Sequence, residues 1–344
     1  MEKEIFLSRD DLIYFLQQKD SKDLFFKANE YTKKLKKDFV HFRGIIEFSN
    51  ICQKNCLYCA LRKDQKINRY TMTKEEILSC AMFAWKKGYG SIVLQSAELT
   101  IPSRISFLMD LIKEIKEKTN LGITLSLGEL DEDVLLDFFK RGAHRYLLRI
   151  ESSNKKIYEK IHPKDHKFEN RLNCLLNLKK IGYQVGTGVM IGLPFQTIQD
   201  LADDLIFFKK MDIDMLGMGP YVENKNTPLK EKAILKNPFD LSIKMIALAR
   251  LFLKDINIAA TTALQVFKLN GREIALKAGA NILMPIITPT DKRKDYLIYP
   301  DKPCVNESKE ECQICLEKRM KSINKKIAYD EYGDSAHYFK RIKK

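Results

Sequence analysis

Short apolar runs alternating with amphipathic helical stretches constrain this chain more than any other feature of its sequence. Strand-like runs fall at Gly44–Phe48, Ser91–Gln95, Gly122–Leu127, Arg145–Ile150, Gln184–Met190, Met215–Gly219, Ile256–Ala260 and Asn281–Met284. Helical periodicity occupies residues 73–87, 102–118, 131–141, 168–181, 197–210, 239–253 and 271–278 between them. Thr73-Lys-Glu-Glu76 has an N-cap hydroxyl with an acid three residues on, and Asp131 opens the third helix. Gly88, Gly142 and Gly182 follow helices where left-handed caps are expected. Strands followed by helices in this rhythm predict an α/β chain folded as a parallel (β/α)8 TIM barrel over residues 41–285. A doubly wound open sheet shares the local pattern, and periodicity alone does not separate the two. Residues 1–40 carry Leu12, Phe15, Leu16, Leu24, Phe25 and Ala28 at helical spacing and read as an N-terminal helical extension. Residues 286–344 dissolve into turns at Pro289, Pro300 and Pro303, then a charged helix at 311–327, as a C-terminal cysteine-containing segment.

Charge and cysteine usage narrow the setting. The 344 residues carry 60 Lys and Arg against 45 Asp and Glu, a net charge of +15. The excess is dispersed: apart from Lys33, Lys34, Lys36 and Lys37, and Lys340, Arg341, Lys343 and Lys344, most lysines stand beside glutamates on helical faces, as in Lys113-Glu-Ile-Lys-Glu-Lys118. That pattern describes solvated helix faces and argues against a nucleic-acid or membrane partner. No uncharged apolar run reaches the ~18 residues of a spanning helix. The opening Met1-Glu-Lys-Glu-Ile-Phe6 lacks the order of a signal peptide, so a cytoplasmic location is expected. Eight cysteines in such a chain are not a disulfide framework. Cys80 and Cys174 sit singly in helices and read as core. The other six form two triplets, Cys52, Cys56, Cys59 and Cys304, Cys312, Cys315.

The first triplet is the strongest chemical signal. Glu47-Phe-Ser-Asn-Ile-Cys52-Gln-Lys-Asn-Cys56-Leu-Tyr-Cys59 is a CxxxCxxC loop after the first strand. Zinc wants four ligands, and no second cysteine pair or nearby histidine completes such a site. Three closely spaced thiolates can hold three irons of a [4Fe–4S] cubane and leave the fourth open. The spacing resembles that of the radical S-adenosylmethionine (SAM) superfamily, in which the methionine amino and carboxylate groups chelate that iron. One electron then cleaves the sulfonium to a 5′-deoxyadenosyl radical. In a parallel barrel, chemistry gathers at the C-terminal strand ends. Those ends supply Gln95 to Glu98, Ser126, Glu129, Arg149, Glu151, Gly188 to Gly192, Met218, Thr261, Thr262 and Met284. Acids suit the SAM ammonium and ribose, an arginine its carboxylate, and apolar backbone its adenine. Ser126 or Glu129 could equally cap the helix at 131.

Further stretches sharpen the resemblance. Glu47–Arg62, Ser126-Leu-Gly-Glu129, Arg145-Tyr-Leu-Leu-Arg-Ile-Glu151, Glu169-Asn-Arg-Leu-Asn-Cys174, Gly192-Leu-Pro-Phe-Gln-Thr197, Thr227-Pro-Leu229, Ala260-Thr-Thr-Ala263 and Ala278-Gly-Ala-Asn281 resemble the HydE family, radical SAM maturases of [FeFe]-hydrogenase. The resemblance implies a complete barrel closed over an internal cavity. It implies cluster ligation by Cys52, Cys56 and Cys59, and the Tyr58 backbone against adenine. Gln95, Ala97, Glu98 and Ser126 would lie near SAM, with Glu151 on the ribose and Arg171 on the carboxylate. Arg149, Thr261 and Thr262 would line a deep anion site. The implied substrate is a small organometallic one, an iron–carbonyl–cyanide–cysteine complex destined for the hydrogenase diiron subcluster. A reduced electron-donor protein and sister hydrogenase maturases are the implied partners. The sequence departs from the family pattern at Ala97 and Leu99, where the family has Gly and Asp, and at Ile150, where it has His. As a strand neighbour of Arg149, Ile150 should point away from the site.

The second triplet could hold a further [2Fe–2S] or [4Fe–4S] cluster, as similar cysteines do in some family members. Its position after the last strand puts it at the surface, too remote for the radical chemistry. The five histidines form no ligand pair on one helix face, and Gly186-Thr-Gly188 reads as room for adenine. Tyr296 and Tyr299 could close the cavity floor or simply pack. Three alternatives remain: a methylornithine synthase-like mutase, which needs a buried acid for a substrate amine; biotin synthase-like sulfur insertion, which needs further interior cysteines; and a basic iron–sulfur RNA-binding module, which needs an RNA-binding appendage.

Overall fold

The computed structural model describes residues 7–230, 232 and 234–343. The Met1–Phe6 hexapeptide and Lys344 of the C-terminal basic cluster lie outside the described residues. Five longer strands come first: β1 (Phe39–Ser49), β2 (Ser91–Ser96), β3 (Gly122–Ser126), β4 (Ala143–Leu147) and β5 (Gln184–Thr187). Five short ones follow: β6 (Met190–Ile191), β7 (Met215–Leu216), β8 (Gly219–Pro220), β9 (Asn257–Ile258) and β10 (Ile282–Leu283). Eight of them pair in parallel in the order β10-β1-β2-β3-β4-β5-β7-β9. The outermost two meet through an Ala259↔Ile282 bridge, so the sheet returns on itself as a (β/α)8 barrel and the open-sheet alternative falls. Parallel strands covered on both faces need apolar runs. Ile46, Leu94 and Leu125, in register across β1, β2 and β3, are fully buried.

Two expected strands, Gln184–Met190 and Met215–Gly219, are each broken in the middle, and their outer halves pair separately as β6 with β8. A Cβ on Gly188 would lie 2.2 Å from the Gly217 carbonyl oxygen, so glycine here permits a close backbone approach. Gly186 and Gly188 therefore serve strand packing and do not line the cavity, contrary to the expected role beside adenine.

The surrounding helices lie where their periodicity predicts, at Lys74–Lys86, Pro102–Lys118, Glu132–Lys140, Phe168–Ile181, Ile198–Lys210, Pro238–Leu253 and Gly271–Lys277. Thr73 and Glu76 close a reciprocal capping box, whereas the Asp131 side chain makes no capping bond. A short helix at Lys155–Ile161 was not evident from the pattern. Before β1, helices Arg9–Gln17 and Lys22–Lys36 pack on Ile198–Lys210 and Pro238–Leu253, burying Leu12, Leu16, Leu24 and Ala28. Among the described residues no helix is long and apolar enough to cross a membrane.

The C-terminal segment departs most from expectation. Its helix, Lys309–Ser322, stops short of 327 because Asn324 turns left-handed at φ 57°. Lys326–Ile327 (β11) then pairs in parallel with Phe39 and Val40 of β1. Beyond it, residues 332–335 fill the N-terminal mouth of the barrel. The Gly333 carbonyl accepts from Arg43 Nη2 at 3.0 Å and from Asn257 Nδ2 at 2.8 Å. Asp334 Oδ1 accepts from Arg145 Nε at 2.9 Å and Gln184 Nε2 at 2.9 Å. Polar groups facing inward at the strand starts thus find their partners in one loop.

Candidate active site

At the opposite, C-terminal mouth lies a cavity of about 350 Å3. Its entrance carries the cysteine loop, which Arg69 holds: Nη1 donates to the Asn50 and Leu61 carbonyls at 2.6 and 2.9 Å, and Nη2 to that of Arg62 at 2.6 Å. Cys52, Cys56 and Cys59 all line the cavity. The amides of Lys54 and Leu61 point at the Cys52 and Cys59 sulfurs, each at 3.4 Å. Burial pushes the Cys59 thiol up to about 12 and the Cys52 and Cys56 thiols upward too. A metal centre here would therefore displace protons as it binds. Three free thiols with backbone N–H groups aimed at two of the sulfurs are a donor set that fits an iron–sulfur cluster.

Tyr58, Gln95, Ala97, Glu98, Ser126, Glu151 and Arg171 line the same cavity, with Arg149, Thr261 and Thr262, whereas the strand-end residues Glu129, Gly188 and Met218 do not. Arg171 is the hub. Its Nε donates to Glu129 Oε1 at 2.7 Å and its Nη1 to the Arg149 carbonyl at 2.8 Å. Its Nη2 lies 2.5 Å from His166 Nε2 and 3.7 Å from Glu98 Oε2. Burial works against the Glu129 carboxylate, but the His166 hydrogen bond and the Arg171 charge bring it down to about 2. Glu129 is thus a partner of Arg171 and does not cap the helix at 131. Gly128, at φ 85°, lets this turn close, since a Cβ there would fall 2.1 Å from Glu98 Oε2.

Arg149 and Glu151 do share one side of their strand end, with Ile150 between them fully buried in the core. Arg149 Nη2 lies 2.9 Å from Glu151 Oε2, and burial pushes the Glu151 carboxyl up against the pull of Arg149. Glu151 itself is left-handed at φ 63°, a strained conformation for a residue with a Cβ. Thr261 Oγ1 donates to the Met218 carbonyl at 3.2 Å. Nothing in the structure explains Leu99.

Sequence reasoning missed several residues in and behind the cavity wall. His166 sits 3.7 Å from the Cys56 sulfur through Nδ1 and 2.8 Å from Glu129 through Nε2. His162 donates from Nδ1 to the Tyr158 carbonyl at 2.9 Å, leaving Nε2 to accept from the Tyr58 hydroxyl at 3.3 Å. The two imidazoles meet through loop folding, so a search for pairs on one helix face could not find them. Glu47 and Lys302 form a buried ion pair at 2.6 Å in the cavity wall. Tyr296 and Tyr299, read from the sequence as either closing the cavity floor or packing, line the cavity, and Tyr296 Oη lies 3.5 Å from Gln95 Nε2.

The second triplet is less superficial than expected. Cys312 is buried beneath its helix, and its thiol and the Arg272 charge pull the Cys304 thiol downward against burial. Cys315 is exposed and faces a separate groove with Glu273 and Arg319. Cys304 lies two residues beyond the cavity-lining Lys302. Cys80 and Cys174 are core residues, as expected. Among the described residues, no other cysteine lines the cavity.

Comparison with known proteins agrees with this geometry. Residues 46–208 match the radical SAM superfamily. The chain is 47% identical over 322 residues to the [FeFe] hydrogenase maturase subunit HydE of Thermotoga maritima, covering 93% of this chain and 90% of that protein. Among solved structures, methylornithine synthase (PylB) superposes with a TM-score of 0.84 at 24% identity, covering 94% of this chain and 95% of that one. The maturase HydG from Carboxydothermus hydrogenoformans gives 0.80 at 18% identity, covering 97% and 78%. These two likenesses speak to the fold alone.

Proposed function

Because the chain belongs to the radical SAM superfamily and, within it, to the HydE family of [FeFe]-hydrogenase maturases, we propose that it cleaves SAM reductively and acts on an iron–carbonyl–cyanide–cysteine precursor of the diiron subcluster. Membership of the family implies a [4Fe–4S] cluster and SAM, and Cys52, Cys56 and Cys59 would hold the cluster. When bound, the cluster supplies the electron that opens the sulfonium to a 5′-deoxyadenosyl radical.

The chain's own residues then bind and orient. Of the five N–H groups of Arg171, Nε is engaged by Glu129 and one on Nη1 by the Arg149 carbonyl, and the others are available to the SAM carboxylate. Glu98 takes the SAM ammonium, beside Gln95, Ala97 and Ser126, while Glu151 takes the ribose and the Tyr58 backbone meets the adenine. Arg149, Thr261 and Thr262 hold the anionic substrate. The observation that carries this reading is the convergence on one cavity of three thiols and an arginine whose Nε and Nη2 lack hydrogen-bond partners. Cys304, Cys312 and Cys315 we read as a further cluster site dispensable for radical chemistry. A reduced electron-donor protein and the sister maturases are the partners, in the cytoplasm, where thiols stay reduced.

The test is anaerobic reconstitution, then incubation with SAM, a reductant and the iron–cyanide–cysteine complex. Formation of 5′-deoxyadenosine should rise with the complex and the complex should be consumed. Indifference to the complex, with turnover of L-lysine instead, would move the assignment to the methylornithine synthase class.

A further inference from the structure

Several buried polar atoms in the cavity wall have no hydrogen-bond partner: Glu47 Oε2, Arg149 Nε and Nη2, and Glu151 Oε2. The last two lie 2.9 Å apart but out of hydrogen-bond alignment. Buried donors and acceptors in native proteins are nearly always satisfied, so a cluster of unmet ones in a cavity points to a ligand. Arg149 already belongs to the anion site. Glu47 has no role yet.

Its surroundings hold Glu47 in place. Its N–H donates to Thr288 Oγ1 at 2.8 Å, and its carbonyl accepts from the Tyr70 hydroxyl at 2.6 Å. Oε1 accepts from Lys302 Nζ at 2.6 Å, with both side chains 3% exposed. Lys302 is in turn anchored on the Tyr296 carbonyl at 3.0 Å. The lysine thus balances the charge of the pair, while Oε2 of this cavity-lining residue has no hydrogen-bond partner. Tyr299 is within electrostatic reach of both ends: burial and Glu47 push its hydroxyl up, while Arg272 and Arg149 draw it down. One chamber therefore presents spare donors at Arg149 and a spare anionic acceptor at Glu47. A simple anion would leave the acceptor unmet, and a simple amine the donors.

We propose that Glu47 Oε2 is the amine-binding group of this cavity, so that the substrate is an amino acid or a metal complex of one, held by its carboxylate at Arg149 and by an N–H group at Glu47. The inference rests on the reading of Arg149 as the substrate-anion site and deepens it.

The cluster-loaded enzyme with SAM is titrated calorimetrically with L-cysteine and with 3-mercaptopropionate, which keeps the thiol and carboxylate and lacks the amine. The wild type should bind L-cysteine about ten- to a hundredfold more tightly, the scale of one charge-assisted hydrogen bond. Glu47→Gln should bring the two ligands within about threefold, a difference worth less than one ordinary hydrogen bond. Equal affinities in the wild type would overturn the inference without any variant, as would an undiminished preference in folded Glu47→Gln. Should that variant not fold, Glu47→Asp, which keeps the charge and withdraws the oxygens, should likewise weaken the preference. L-Lysine is the separating arm. If it binds more tightly than L-cysteine in a Glu47-dependent way while the iron complex is not consumed, the amine site stands and the maturase reading falls.

Discussion

Replacing Asp334 by alanine should destabilise the whole barrel from the end remote from the chemistry. Asp334 Oδ1 lies 2.9 Å from Arg145 Nε and 2.5 Å from Arg145 Nη2, and Arg145 is 0% exposed. Burial works against the guanidinium charge, and Asp334 is the anion that offsets it. Without the carboxylate, Arg145 retains only the Tyr332 carbonyl, at 2.6 Å. Removing one member of a buried ion pair costs about 3–5 kcal/mol. With a urea m-value of about 3 kcal/mol per molar for a chain of this size, the midpoint should fall by about 1–1.7 M. Arg145→Met should cost less when Asp334 is already gone, and that coupling identifies the pair as the source. Burial raises the Asp334 carboxyl, but the His144 hydrogen bond and the Arg145 charge hold it well below the ordinary carboxylate range. A depressed folded-state value means its contribution is present above the unfolded value near ~4 and fades only as pH falls through the folded one. The gap between wild type and variant should therefore stay constant from pH 5 to 8, both ~1 unit or more above the unfolded value, and close in strong acid. A midpoint shift of less than about 0.3 M, or strict additivity with Arg145→Met, would refute the reasoning.

Three further outcomes are expected at the cavity and the second triplet. Cys56→Ala should abolish 5′-deoxyadenosine formation with circular dichroism nearly unchanged, because the loop lies outside the barrel sheet; wild-type yield would sink the cluster assignment. Cys312→Ala with Cys315→Ala should lower the iron count per chain while SAM cleavage persists, and loss of cleavage in a well-folded double variant would make that site catalytic. Arg149→Lys keeps the charge but loses the planar fork. SAM affinity should then hold while substrate turnover falls by about ten- to a hundredfold, whereas equal losses in both would place Arg149 in the SAM pocket or the fold.

The barrel was legible because its strands are continuous apolar runs and its helices carry start and stop residues, as at Thr73 and Gly182. β1 was read five residues short because His41 and Arg43 interrupt its beginning. Their burial depends on a loop far along the chain: the Arg43 partner Gly333 is 290 residues away. The cysteine loop was visible through its spacing, and the polar residues of the cavity wall through their places at strand ends. The groups that went unseen are joined across long separations, 110 residues from Cys56 to His166 and 255 from Glu47 to Lys302. No local pattern marks such pairs, since each side chain alone reads as an ordinary surface charge or a lone imidazole.

The loop that fills the N-terminal mouth also imposes an order on biosynthesis. Residues 326–335 are made after every strand whose base they complete, so a nascent chain holding β1 to β10 still lacks the partners of Arg43, Arg145 and Asn257. Such an intermediate has inward-facing cations without their oxygen acceptors, and its barrel should remain loose at that end until the loop arrives. The cysteine loop is translated near the start, between β1 and β2, and waits longest for a rigid scaffold. Metal loading that needs a settled cavity would then fall after translation has passed residue 335, and chains arrested before residue 326 should accumulate as iron-poor, protease-sensitive species.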